Sequence, residues 1–82
     1  MAERDPVSWM VVEPGWAVVD ASGDEIGRVD EVLGDPQADI FNGLHVLTGK
    51  LAKRSYVPAE SVGDIVEGRV HLEVGKDELA DA

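Results

Sequence analysis

The stretch that most constrains this chain is residues 15–33, Gly15-Trp16-Ala17-Val18-Val19-Asp20-Ala21-Ser22-Gly23-Asp24-Glu25-Ile26-Gly27-Arg28-Val29-Asp30-Glu31-Val32-Leu33. Two runs rich in β-branched residues flank Ser22-Gly23-Asp24, which supplies a residue tolerant of positive φ and side chains that bond their own backbone. This predicts a β-hairpin with strands at 16–20 and 26–33. In the second strand the apolar spacing slips from two to three, because Asp30-Glu31 separates Val29 from Val32. Such a slip predicts a bulge, and a bulge bends the strand. A helix over residues 25–33 is the rival, and Gly27 with its β-branched neighbours weighs against it.

The rest of the chain supplies partners for this hairpin. Residues 34–39 read as a loop, and residues 40–48 as a third strand. Simple alternation puts Ile40, Leu44 and Val46 on one face and Phe41, His45 and Leu47 on the other, so both faces should be covered. Gly49-Lys50-Leu51-Ala52-Lys53-Arg54 is a turn, Ser55-Tyr56-Val57 a short strand, and Pro58 opens a single helical turn near residues 59–62. Residues 69–74 alternate strictly, with Val70, Leu72 and Val74 inward. Five or six short strands, Gly-rich turns and no long helix define an all-β chain. A small, strongly bent barrel is favoured over a sandwich, which would need more strands. The division expected is an N-terminal arm at 1–14, a barrel domain at 15–74 and an acidic tail at 75–82. Residues 7–12 are strand-like in composition, but Pro14-Gly15 separates them from the hairpin.

Composition narrows the function. With 17 acidic and 7 basic residues the formal charge is −10. That field repels phosphate backbones and anionic membranes, so direct nucleic-acid binding and membrane insertion are not expected. The chain has no cysteine, which removes disulfides and thiolate metal sites. No apolar run approaches the ~20 residues of a membrane span, and no basic-then-apolar leader opens the sequence. The expected location is the cytoplasm.

Few residues carry chemistry. His71 and Glu73 share a strand face and could form at most a weak metal site, since a metal needs further converging ligands. Residues 20–25 place oxygen ligands around a glycine, but without the twelve-residue spacing of a calcium loop. The serines sit in no nucleophile elbow and the glycines precede no helix, so neither acyl transfer nor phosphate cradling is supported. No catalytic residue, metal or cofactor is expected, and the protein is not expected to be an enzyme. The residues suited to contact a partner are Trp9 and Met10 in the arm, Phe41, His45 and Leu47 on the second face of strand three, and the basic turn with Lys50, Lys53 and Arg54.

Gly15, Val18-Val19-Asp20, Gly23-Asp24-Glu25-Ile26-Gly27-Arg28-Val29-Asp30-Glu31-Val32, Phe41-Asn42-Gly43-Leu44, Tyr56-Val57-Pro58, Val62 and Val70-His71-Leu72, taken in order, resemble the PRC-barrel family. The resemblance implies a small β-barrel like those in the photosynthetic reaction centre H subunit and in a bacterial ribosome maturation factor. It also implies docking onto other proteins, with no shared catalytic motif to transfer. The expected function is a non-enzymatic protein-interaction module, homodimeric. The alternatives are an RNA-metabolism or ribosome-associated accessory protein and a small-molecule or metal-binding barrel.

Overall fold

The computed structural model describes residues 8–81; expectations for residues 1–7 lie outside them. The strands are β1 (Ala17–Val19), β2 (Glu25–Asp35), β3 (Ile40–Thr48), β4 (Lys53–Pro58), β5 (Val62–Val66), β6 (Arg69–Leu72) and the two-residue β7 (Ala80–Asp81). They form one sheet in the order β5-β6-β1-β2-β3-β4-β7, curled into a half-barrel. All neighbours are antiparallel except β1 and β6, which run parallel with Val18 opposite Val70. The expected all-β, strongly bent architecture is what the chain adopts. Among the described residues no helix is long and apolar enough to cross a membrane.

The bending has identifiable causes. The β1–β2 register shifts at Ile26, and the β2–β3 register shifts at Asp30 and again at Asn42. Each extra residue bends its strand and increases the local twist. The slip expected between Val29 and Val32 is the Asp30 shift, and residues 25–33 are strand throughout. The Asn42 shift corrects the simple alternation of β3. Below it the faces exchange, so Ile40 is 51% exposed while Phe41 packs against the core.

The core lies on the concave side and is built from Val12, Val18, Val29, Leu44, Val46, Val57, Ile65, Val70 and Leu72. Leu44, Val18, Val46, Val57 and Val70 are fully buried. Removing each from water contributes roughly 1.5–3 kcal/mol. Valine dominates because a β-branched side chain fills the tight interior of a bent sheet with little rotamer entropy to lose.

The described residues at both ends of the chain come back onto the sheet. Residues Trp9–Val11 form a 3₁₀ turn, not a strand; the Ser8 hydroxyl oxygen accepts the Met10 N–H at 3.1 Å. Val12 then enters the core. At the other end, Lys76–Glu78 form a 3₁₀ turn, Leu79 packs on the core, and Ala80–Asp81 pair with Ser55 and Tyr56 of β4. The predicted helical turn near 59–62 is the 3₁₀ turn Ala59–Ser61. It is one of three such turns among the described residues, where the sequence pointed to a single one.

Candidate interaction surface

The eight residues singled out from sequence fall into three groups. Trp9 stacks on Phe41, with ring centroids 5.1 Å apart and planes 13° from parallel. Its indole N–H donates to Asp39 Oδ1 at 3.3 Å. Its ring also lies over Gly34, where a Cβ would stand 3.1 Å from the indole Cη2. Trp9 therefore clasps the 34–41 end of the β2–β3 hairpin. This covers one face of Phe41 within the chain, leaving it partly buried, and the Asn42 shift puts it on the opposite face of the sheet from His45 and Leu47. Met10 remains 43% exposed beside it.

The second group lies on the outer face of β2–β3–β4, where His45 stands opposite Tyr56 and Leu47 opposite Arg54. Arg54 Nε meets Asp30 Oδ2 at 3.1 Å, and its Nη2 donates to Glu31 Oε1, also at 3.1 Å. His45 Nδ1 stands 3.4 Å from the same Glu31 oxygen, and its ring meets Tyr56 edge-on at 6.0 Å. The Asp30 bulge explains the arrangement: an extra residue lets two consecutive carboxylates reach one guanidinium. Arg54 is thus a brace across the sheet. These groups are about half exposed, so the ion pairs add little stability.

The third group is the β3–β4 turn. The Ala52 N–H donates to the Gly49 carbonyl at 3.2 Å, closing a four-residue turn with Lys50 and Leu51 at its centre. Both project from it, and Leu51 is 94% exposed. Leu51 is the surface residue that sequence reasoning missed. An apolar residue between Lys50 and Lys53 offered one signal of it.

Two clefts adjoin these groups. One, of about 450 Å³, is lined by Glu25, Ile26, Gly27, Arg28, Leu47, Gly49 and Ala52. The other, of about 310 Å³, is lined by Val11, Glu13, Trp16 and Glu67.

The oxygen-rich turn at residues 20–25 holds itself together. Asp20 is 8% exposed. Its Oδ1 accepts the N–H groups of Ser22 at 2.9 Å and Asp24 at 3.2 Å, and its Oδ2 accepts that of Lys76 at 3.4 Å. The carboxylate fastens the hairpin turn to the C-terminal segment and is engaged by backbone donors. Among the described residues no three His, Cys, Asp or Glu side chains are placed to hold a metal ion, so His71 and Glu73 have no third ligand there.

No curated protein matches the chain significantly. The family model for the PRC-barrel domain matches residues 15–79, from the turn that opens β1 to the Leu79 that closes over the core. With most of its 82 residues matched, and with a bulged sheet curled into a half-barrel where the resemblance implied a small β-barrel, the chain belongs to the PRC-barrel domain family.

Proposed function

We propose that this chain is a non-enzymatic protein-docking module of the cytoplasm that pairs with a second copy of itself. The supporting observation is Leu51, 94% exposed at the tip of a tight turn, together with Met10 and Val11, 43% and 48% exposed. A domain this small leaves a large share of its apolar surface uncovered, so burial against a partner adds stability that its own core cannot. Sedimentation velocity across the micromolar range tests the reading. A concentration-dependent shift from one to two chain masses is expected, and a single monomeric species throughout would refute self-pairing.

A second reading rests on the cleft of about 450 Å³ beside Arg28 and Leu47, which has the volume of a small-molecule site. A rise in melting temperature with a panel of metabolites would favour it. The formal net charge of −10 argues against an RNA-binding role.

A further inference from the structure

Resting on the small-molecule reading of the cleft of about 450 Å³, we infer that this cleft is a site for a free apolar α-amino acid. Its walls come from two segments that the fold brings together. The start of β2 gives Glu25, Ile26 and Arg28, and β3 with the turn after it gives Leu47, Gly49 and Ala52. Ile26 is the extra residue where the β1–β2 register shifts, and a bulge re-aims a side chain without breaking the sheet. Ile26 and Leu47 are both half-buried and supply an apolar floor. The turn wall holds Gly49 at φ +74° and Ala52 at φ +51°. The second is a strained conformation for alanine, of the kind that gathers at binding sites.

Two opposite charges border this floor without satisfying each other. Leu47 lies in register between two arginines, Arg28 on β2 and Arg54 on β4. Arg54 is held by Asp30 and Glu31. Arg28 has no such partner: among the described residues no carboxylate forms an ion pair with it, although Glu25 borders the same cleft. Glu25 is likewise without an ion-pair partner among the described residues. The cleft thus offers a guanidinium and a carboxylate, held apart, to one ligand.

Net charge selects among the ligands that could use them. At −10 the chain repels phosphates and dicarboxylates at long range. A zwitterion has no net charge for that field to act on. Its carboxylate can take the Arg28 fork through two parallel hydrogen bonds, and its ammonium can meet Glu25. A simple amine would use any of the surface carboxylates and leave Arg28 idle. The ligand's apolar side chain then covers Ile26 and Leu47, in keeping with sites in which a mainly apolar lining carries a few orienting polar groups. The volume of about 450 Å³ is ample for one such molecule.

Amide NMR titration of the full-length chain with L-leucine and L-phenylalanine tests this. The comparators are isocaproate, which lacks the ammonium, and isoamylamine, which lacks the carboxylate. Saturable shifts centred on the amides of residues 25–28, 47–49 and 52 are expected with the amino acids, and each comparator should bind leucine's site roughly tenfold more weakly or worse. Arg28→Gln and Glu25→Gln, both at exposed positions, should each lower amino-acid affinity by a similar factor with little change in melting temperature. If a variant proves unfolded by circular dichroism, the comparators on the wild-type chain carry the test. Isocaproate binding as tightly as leucine, amino-acid binding indifferent to both substitutions, or saturable shifts at this cleft only with other metabolites overturns the amino-acid assignment and leaves the small-molecule reading intact. No saturable shift at the cleft with the amino acids or with any member of a metabolite panel overturns both.

Discussion

Trp9→Ala should lower the melting temperature of the isolated chain substantially, although Trp9 lies outside the family-matched residues 15–79. Trp9 is half-buried and stacked on Phe41 with centroids 5.1 Å apart, over Gly34, with its N–H on Asp39. A half-buried tryptophan withdraws on the order of 100 Å² from water, worth about 2.5 kcal/mol at ~25 cal/mol per Å². The stacked geometry adds about 0.5–1 kcal/mol. The indole hydrogen bond is exposed and adds little. The total of roughly 3 kcal/mol is an upper figure, because the unfolded chain already hides part of that area. Against a whole-domain stability of roughly 4–12 kcal/mol for a chain this size the effect is large. At about 4–8 °C per kcal/mol, the midpoint should fall by roughly 12–24 °C. Thermal unfolding followed by far-ultraviolet circular dichroism measures it, at a concentration where the chain is monomeric. Trp9→Phe, which keeps a ring over Phe41, should lose less than half as much. A Trp9→Ala midpoint within about 2 °C of wild type would show that the N-terminal turn does not clasp the sheet.

Other substitutions probe the remaining supports. Leu44→Ala, at a fully buried position, should cost about 2–5 kcal/mol in urea unfolding with an unchanged m-value. Gly27→Ala should be at least as damaging, about 3 kcal/mol or more, because its Cβ would collide with the Leu47 carbonyl oxygen across the β2–β3 pairing; soluble expression and a cooperative melt report it. Asp20→Ala removes the acceptor of three backbone N–H groups and should cost about 1.5–3 kcal/mol by chemical denaturation. Arg54→Ala, despite its two carboxylate contacts, should change stability by about 1 kcal/mol or less in the same assay.

The sequence spoke most clearly where side-chain periodicity and burial agree. Strand β3 was legible to the residue at 40–48, and Val70 and Leu72 faced inward as their alternation required. The bulge at Asp30 was readable because it shifts the apolar spacing on both sides of it. The Asn42 shift left no such mark, since Ile40 and Phe41 are both large and apolar and either could face the core. Only the register against β2 decides that Phe41 does, with Trp9 upon it. The parallel pairing of β1 with β6 was equally hidden, because alternation says which face is buried and not which strand lies alongside. At the C-terminus a short acidic stretch read as a tail, yet β7 joins the sheet through backbone pairing that carries little side-chain signal. Of the surface residues, the basic turn was visible as composition. The division of labour within it, with Arg54 bracing the sheet and Lys50 and Leu51 projecting, depends on strand register.

The measurement that bears most directly on the whole account is an isotope-filtered nuclear Overhauser spectrum of a sample mixing labelled and unlabelled chains, which detects only contacts between copies. Cross-peaks from the Leu51 methyl groups of one chain to side chains of the other are predicted. Their absence at concentrations where two chain masses are seen, or inter-chain peaks confined to His45, Leu47 and Tyr56 on the outer face, would contradict it.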